Sequence, residues 1–280
     1  MYHIYTLKAL HLKQQRGVTL IELLISIALG LMTIAVAISA LMVSRGISGT
    51  VSDASNLQQQ AAYAFRVIGQ QVRQAGSAEL SLGIGVDDPD NIVVDDKVAF
   101  ISSGFQSVNS VVSGIDNPTP AQYMVTVGFR NYNEANTSGP PASLLRDCLG
   151  QATNPDSNLL ITSSFTMVDD SLRCLGSGNP IPQPIIKNVV DFQVNYLLQQ
   201  PNVSAPTMLR TNAAGVAGNW DNVYAIEVCL ELVGDEPIGI ENTATYMKCD
   251  GTTASYDNRL RMVFRNTYQI RSQGLLTNNT

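Results

Sequence analysis

A long apolar segment near the start of the chain constrains its structure more than any other feature. The 26 residues from Val18 to Val43 carry a single charge, the carboxylate of Glu22. As a helix they would extend over about 39 Å, which exceeds the roughly 30 Å hydrocarbon layer of a bilayer. The segment is therefore expected to cross a membrane as one helix.

The charges on either side of this segment predict its orientation. The residues before Gly17 include both histidines of the chain and three bases, Lys8, Lys13 and Arg16, but no acid. A single base, Arg45, stands just after the segment. The positive-inside rule therefore places the N-terminus in the cytoplasm and the bulk of the chain on the exported side.

Composition excludes several classes of function. Cleavage after Gly17 would remove three bases and leave 14 bases against 23 acids, a net charge of −9, with no histidine. Catalysis by Ser-His-Asp or Cys-His groups and histidine-ligated metal sites would then be impossible. The acidity argues against general binding of nucleic acid, whose affinity comes largely from phosphate neutralisation. With no G-x-x-x-x-G-K-[ST] or G-x-S-x-G motif present, we expect no catalytic residue and no cofactor.

The carboxylate of Glu22 distinguishes among three kinds of N-terminal segment. An ionised acid in the hydrocarbon costs about 2.5 to 3.5 kcal/mol on insertion scales and marks a candidate functional residue. A cleavable secretory signal could use Ala35-Val36-Ala37 as its cleavage site, but its apolar core would be too long and would contain an acid. A plain signal anchor leaves Glu22 unexplained.

The third kind is a prepilin. The stretch RGVTLIELL from Arg16 resembles the type IV prepilin signature, with a basic leader, a glycine at the cut and a glutamate at mature position five. The resemblance implies that prepilin peptidase cuts between Gly17 and Val18 and that the new amine is N-methylated, although Val18 stands where phenylalanine or methionine is more usual. In a filament, the amine of one subunit would then neutralise Glu22 of its neighbour, since either charge alone stays unpaired.

A second helical pattern follows the apolar segment. Apolar residues recur at steps of three or four and indicate one stripe of an amphipathic helix. The members of this stripe are Ile47, Val51, Ala54, Leu57, Ala61, Phe65, Ile68, Val72 and Ala75. Arg73 and Gly76 are typical of a helix end. The stripe would be a coiled-coil seam or, as we favour because a β-rich region follows and e/g charge pairs are missing, the face on which a globular domain packs.

Beyond Ser77, short apolar runs separated by Gly, Ser, Asn, Asp and Pro predict an antiparallel β domain with long loops. Three runs alternate, VVDFQVNYLL, VYAIEVCLELV and RLRMVFRNTYQIR, and weaker strands are VAFIS, YMVTVGF and LLITSSFTMV. The apolar faces are Val190, Phe192, Val194, Tyr196 and Leu198 in the first; Tyr224, Ile226, Val228, Leu230 and Leu232 in the second; Leu260, Met262, Phe264, Tyr268 and Ile270 in the third. The predicted fold class is α+β, a long N-terminal transmembrane and amphipathic helix packed against one face of an antiparallel sheet.

The order of these segments is similar to that of PilW-type minor pilins. LQQQAAYAFRVIGQQVRQAG resembles the helix that ends in R-x-A-G in that family, and SLRCLGSG, PIIKNVVDFQVNYLL, VYAIEVCLELV and LRMVFRNTYQIRS follow in the family's order. The resemblance implies a type IV pilin fold. Its parts would be a leader at 1–17, a transmembrane half-helix at 18–43, an amphipathic half-helix at 44–76 and a β-rich head at 77–280.

The resemblance also implies a function. Such a chain is no enzyme but a minor pilin, held in the inner membrane of a bacterium with its head in the periplasm and later found at the pilus tip. It would prime assembly by contacting other minor pilins and the major pilin through the N-terminal helix, with a tip adhesin as a further candidate partner. The alternatives are a pseudopilin of type II secretion, a DNA-uptake or surface-binding pilin, and an anchored periplasmic enzyme.

Four cysteines, Cys148, Cys174, Cys229 and Cys249, all lie beyond the membrane segment. An even count on the exported side predicts disulfides, with three possible connectivities. Nearest-neighbour closure favours Cys148 with Cys174 and Cys229 with Cys249. The alternative is four buried reduced thiols, because free cysteine is often a core residue.

Two charged features remain as candidate binding sites. The stretch Asp87–Asp96 holds five aspartates and could bind calcium, but it lacks the EF-hand order, which favours an acidic loop without metal. The last strand carries an arginine face that could bind DNA or an acidic partner. We instead favour a solvated or subunit-facing surface in which Glu227 and Glu231 are cross-strand partners. The face consists of Arg259, Arg261, Arg265 and Arg271.

Overall fold

A computed structural model describes residues 17–85, 93–101, 104–105, 107, 110–134, 142–200, 207–238 and 244–270. The chain divides into two compact units, Met1–Gly49 and Thr50–Thr280. In chain order the elements are α1 Leu20–Gln74, β1 Glu79–Gly85, β2 Val93–Ile101, β3 Val112–Ser113, β4 Val125–Arg130, β5 Leu160–Val168, β6 Ser171–Gly176, β7 Gln183–Lys187, β8 Val189–Gln200, β9 Thr207–Thr211, α2 Ala213–Val216, β10 Val223–Pro237, β11 Thr245–Met247, β12 Thr253–Ser255 and β13 Arg259–Gln269.

The first unit holds the N-terminal part of α1, whose apolar side chains are exposed on all sides. Of the helices in the described ranges, α1 alone is long and apolar enough to cross a membrane, and none of its apolar stretch is buried. Its hydroxyl groups bond to its own backbone: Ser26 donates to the Glu22 carbonyl at 2.7 Å, and Ser39 donates to the Ala35 carbonyl at 2.9 Å. These bonds lower the cost of placing hydroxyls in an apolar environment.

In the second unit, the remainder of α1 packs one face into the head. Its buried residues are Asp53, Leu57, Ala61, Ala64, Ile68, Gly69, Gln71 and Val72. The predicted stripe was wrong at two positions, because Ile47 and Val51 are exposed. Phe65 is half-buried and packs against the core, and its neighbour Ala64 is fully buried. The small residues on this face let the helix backbone approach the head closely. The helix ends at Gln74, and Gly76 takes the left-handed conformation with φ 71°.

Two antiparallel sheets form the head, where a single sheet was expected. One has the strand order β13-β10-β8-β9 and the other the order β3-β4-β5-β6-β7. Two hairpins, β1-β2 and β11-β12, are separate two-stranded sheets. The buried face of α1 and apolar residues of both larger sheets belong to one hydrophobic core. The antiparallel α+β class is therefore as predicted, but the helix packs against two sheets rather than one.

The alternating strands place most of the predicted residues in this core. Phe192, Val194, Tyr196 and Leu198 of β8 are buried, as are Ile226, Val228, Leu230 and Leu232 of β10. Val190 was assigned wrongly: Val189 is fully buried, and Val190 is half-buried. The cause is a bulge, because Glu231 pairs with Asp191 whereas Leu232 pairs with Val189, which leaves Val190 as the extra residue.

Hydrogen bonds at three positions along α1 fix the helix against the sheets. At the start of the buried part of α1, the Asp53 carboxylate accepts a hydrogen bond from the Glu236 backbone N–H at 2.9 Å. Further along, the Tyr268 hydroxyl donates to the Phe65 carbonyl at 2.7 Å. Near the helix end, the Gln71 side-chain oxygen accepts from the Ser163 hydroxyl at 2.9 Å. Because apolar burial is not directional, these bonds determine where along the sheets the helix lies.

Gly69 provides a test of this close approach. A Cβ added at Gly69 would overlap the Tyr268 ring. We predict that Gly69→Ala destabilises the head by about 1 to 3 kcal/mol through overpacking. In an open helix the same change would stabilise by about 1 kcal/mol.

The measurement is the free energy of unfolding of the full chain in detergent, by urea denaturation followed by tyrosine and tryptophan fluorescence. In a Tyr268→Ala background the Gly69→Ala change should no longer destabilise, since the ring is gone. Equal effects of Gly69→Ala in both backgrounds would contradict the packing assigned here.

Candidate assembly site and disulfide-linked head

The sequence-predicted processing and assembly residues lie at the start of α1. Gly17 and Val18 precede the helix, and both are exposed, with Val18 exposed to 68 %. Glu22 lies in the first turn and is also exposed. The peptide bond between Gly17 and Val18 is therefore outside regular structure, while Glu22 is held on the helix four residues later.

Thr19 caps this helix. Its hydroxyl oxygen accepts from the Glu22 backbone N–H at 3.3 Å, and its carbonyl accepts from the Leu23 N–H at 3.1 Å. The sequence Thr19-Leu20-Ile21-Glu22 has the capping-box pattern, a signal that the sequence analysis missed. A carboxylate in the first turn also interacts favourably with the helix dipole. Glu22 thus has a local reason to occupy this position, in addition to any partner on another chain.

The chain itself offers no base near Glu22 along the apolar segment. No residue from Val18 to Val43 is basic. An ion-pair partner for this acid must therefore come from outside the segment.

All four cysteines form disulfides, so no described cysteine is free. Cys148 is bonded to Cys174 with their Cα atoms 6.4 Å apart, and Cys229 to Cys249 at 5.7 Å. This is the nearest-neighbour connectivity. The first disulfide ties the segment before β5 to β6, and the second ties β10 to the turn between β11 and β12.

Buried polar groups hold the first disulfide in place. The Ser163 hydroxyl oxygen accepts from the Cys148 N–H at 3.0 Å while its own proton goes to Gln71 on α1. The adjacent Asp147 carboxylate is buried and accepts three backbone N–H groups, from Leu149, Gln151 and Gly178, at 2.9 to 3.0 Å. The segment around Cys148 is thereby linked both to the helix and to the five-stranded sheet.

A buried carboxylate underlies the second disulfide. Glu231 was expected on a solvated face, but it is fully buried because the β11-β12 hairpin covers this part of β10. Glu231 accepts from the Tyr246 hydroxyl at 2.5 Å and from the Arg261 guanidinium at 3.1 Å. Arg265 donates to the carbonyls of Lys248 and Cys249 at 2.7 and 3.1 Å. The hairpin is thus held to β10 and β13 by hydrogen bonds and a disulfide, and it covers the Glu231–Arg261 ion pair between those two strands.

The predicted arginine face is therefore largely occupied by contacts within the head. Arg261 contacts Glu231 diagonally, as expected of cross-strand partners. Glu227, by contrast, pairs with Arg210 of β9 at 2.6 Å and not with an arginine of β13. Arg271 lies outside the described residues.

The acidic stretch Asp87–Asp96 lies only partly within the described residues. Residues 87–92 lie outside the described part of the chain, and residues 93–96 begin β2. Within the described ranges, no group of three or more His, Cys, Asp or Glu side chains is placed to hold a metal ion.

Tyr196 links the four-stranded sheet both to Trp220 and to the start of β4. Trp220 is buried and packs edge-on against Tyr196 of β8, with ring centroids 5.0 Å apart. The Tyr196 hydroxyl donates to the Met124 carbonyl, just before β4, at 2.8 Å. Burial raises the pKa of Tyr196, so the phenol stays protonated and keeps this bond.

Two family models match the chain. Residues 158–272 match the model of the type IV pilus-assembly protein W (PilW), and residues 12–38 match the prokaryotic N-terminal methylation motif. The first match covers β5 to β13 and includes Cys174 as well as both cysteines of the second disulfide. The second spans the Gly17–Val18 bond and Glu22.

Among solved structures, a type IV-like pilin from Thermus thermophilus is similar to this chain at 12 % sequence identity. The alignment covers 78 % of this chain and 98 % of that one, with a TM-score of 0.37. No curated protein matches the chain in sequence.

The Tyr246–Glu231 contact predicts an alkaline limit to stability. Burial first, and then the hydrogen bond and charge of Glu231, raise the pKa of Tyr246 from 10.0 to about 12. The unfolded chain therefore loses this proton before the folded chain does, and stability should fall between pH 10 and 12. Tyr246→Phe should make the fall shallower, as measured by urea denaturation across this range. Tyr63→Phe, which changes an exposed tyrosine on α1, is the matched control, and an equal effect of both variants would contradict the assignment.

Proposed function

We propose that this chain, a pilin of the type IV pilus-assembly kind by its PilW domain and its prepilin-like methylation motif, is a minor pilin that primes filament assembly and stays at the pilus tip. The observation that carries the proposal is the joint presence of the two matches, with the methylation motif at the start of an exposed apolar helix. Pilins are structural proteins, and the function proposed here requires packing with other chains and no catalysis.

The apolar part of α1 supports membrane anchoring before assembly. Its side chains from Val18 to Val43 are exposed, apart from the half-buried Gly30, and its hydroxyls bond within the helix. Lipid or neighbouring helices can cover such a surface, whereas water cannot do so without a large hydrophobic cost. Before assembly the surface would lie in the inner membrane, and after assembly it would pack among the helices of other minor pilins and of the major pilin.

Glu22 would provide the charge that pairs with a neighbouring subunit when the chain moves from the membrane into the filament. Cleavage after Gly17 by prepilin peptidase would create a cationic amine on Val18, and N-methylation would keep that amine basic. A stagger of neighbouring subunits would bring the amine of one chain to Glu22 of the next. Each charge would then be compensated in the apolar bundle, and a misplaced subunit would leave both unpaired.

The size of the head favours a position at the pilus tip over a position along the shaft. A head of about 200 residues is bulky for a subunit that repeats along a filament, since such heads must pack around the helices at close spacing. Its two disulfides suit exposure outside the cell, where thiols oxidise. A tip adhesin would be a partner of this head.

A pseudopilin of type II secretion is the second candidate, because the methylation motif alone fits both systems. The PilW match over residues 158–272 favours the pilus. Deletion of the gene distinguishes the two: loss of surface pili with normal release of secreted proteins supports the minor pilin. Normal piliation with blocked secretion supports the pseudopilin.

Replacement of the acid tests the charge pairing. Glu22→Ala should leave membrane insertion and cleavage intact but lower incorporation into sheared filaments about tenfold or more, because the neighbouring amine loses its partner. The measurement is quantitative immunoblotting of sheared and cell-bound fractions. Ser26→Ala, which removes a polar group one turn later on the same helix, is the control and should assemble normally. Normal incorporation of the Glu22→Ala chain would reject the pairing.

The N-terminus of the assembled chain tests the processing step. In filaments sheared from cells, mass spectrometry should find a chain that begins at N-methylated Val18. Chains that still begin at Met1 in this fraction would overturn the proposed processing, and finding the chain only in the membrane fraction would overturn the filament role.

A further inference from the structure

A cavity of about 410 Å³ lies on the five-stranded sheet of the head. Its apolar lining includes Pro118, Pro120, Tyr123, Met167 and Val168, and Arg173 of β6 is its charged member. The volume is at the lower end of the range for small-ligand sites, about 300 to 1,000 Å³. It offers room for a group the size of one residue rather than for a helix or a strand.

The wall of the cavity formed by residues 118–123 is held in place before any ligand arrives. The Thr119 hydroxyl and backbone N–H donate to the Gln122 side-chain oxygen at 2.8 and 3.0 Å, and the Gln122 N–H donates back to the Thr119 carbonyl at 2.9 Å. Just before this loop, the Asp116 carboxylate accepts from the backbone N–H groups of Ala213 and Ala214 at 3.1 and 2.8 Å. The two prolines further restrict the loop, so binding requires little ordering.

Arg173 is incompletely satisfied. Its Nε is buried and, among the described residues, has no hydrogen-bond acceptor. Its Nη2 lies 3.7 Å from the Asp169 carboxylate, whose side chain is 85 % exposed. A buried donor without an acceptor costs free energy, and an exposed carboxylate at this distance compensates it poorly. A ligand carboxylate that bound the terminal nitrogens of Arg173 would form a charge-assisted contact that the distant Asp169 carboxylate does not provide.

We propose that this cavity binds an apolar carboxylate, with an aliphatic or aromatic group against the prolines, Tyr123 and Met167 and the carboxylate on Arg173. The C-terminal residue of a polypeptide and a free hydrophobic acid share this chemistry. Neither the lining nor the charge depends on the role of the chain in a pilus.

The test uses the full chain in detergent with 13C-methyl-labelled methionine. The Met167 methyl reports on the cavity, and Met247, which is 63 % exposed elsewhere on the head, reports on non-specific effects. The probes are N-acetyl-leucine and the tetrapeptide Ala-Ala-Ala-Leu, each compared with its C-terminal amide. Both acids should shift the Met167 methyl signal in a saturable way and bind about tenfold more tightly than their amides, because a charged hydrogen bond is lost in the amide.

Three variants make the test specific. Arg173→Gln should remove the preference for acid over amide, while Arg210→Gln, an arginine on β9 outside the cavity, should retain it. Asp169→Asn removes the competing carboxylate and should tighten binding of the acids about twofold; this variant keeps the test valid if Arg173→Gln fails to fold.

The outcomes separate the two sources of the carboxylate. Tighter binding of the peptide acid than of N-acetyl-leucine identifies a chain terminus, and the reverse order identifies a free acid. Equal shifts with acids and amides, equal shifts at Met167 and Met247, or no shift at all would overturn the proposal.

Discussion

The burial of one face of α1 against two sheets at once is the interaction on which the head depends. Leu57, Ile68 and Val72 belong to the same core as Phe165 of the five-stranded sheet and Phe192 of the four-stranded sheet. Neither sheet could bury its apolar face in the same way without this helix. The apolar contacts supply most of the driving force, at roughly 25 cal/mol per Å² buried, but they do not select a position along the sheets. The bonds made by Asp53, Gln71 and Tyr268 select it.

The same helix meets two different environments along its length. From Val18 to Val43 the apolar side chains of α1 are exposed. From Leu57 onward, the buried face of the helix packs against the head of the same chain. In the proposed assembly, the exposed part of α1 would exchange lipid for partner helices through residues that the head does not use. Glu22 is the charge in this part of the helix, and the Thr19 cap and the helix dipole lower the cost of keeping it there.

Sequence patterns correctly predicted the features that depend only on residues close to one another in the chain. The length of the apolar segment, the Gly76 stop and the faces of β8 and β10 follow from periodicity and from the freedom of glycine to take a positive φ. The burial of Glu231, the partner of Glu227 and the division into two sheets depend on which distant segments meet. Val190 was assigned to the wrong face because strict alternation of residues along a strand does not predict the bulge in β8, which adds one residue opposite β10. The predicted processing residues, Gly17 and Val18, lie in a contiguous motif. The cavity at Arg173 is instead assembled from residues between 118 and 182 and has no local signal.

The disulfides explain how a head with long loops retains these distant contacts. Each closes a short span, with sequence separations of 26 and 20 residues, and in the chain-entropy model a loop of this length stabilises by about 3 kcal/mol, mainly by restricting the unfolded chain. Each disulfide also lies near buried polar contacts between distant segments. Ser163 bonds to Cys148 and to Gln71 near the first disulfide. Glu231 bonds to Arg261 near the second. A buried ion pair is costly to desolvate unless its geometry is fixed. The covalent bond from β10 to the β11-β12 turn restricts the hairpin to the region of Glu231, where Tyr246 of the hairpin and Arg261 of β13 both contact the carboxylate.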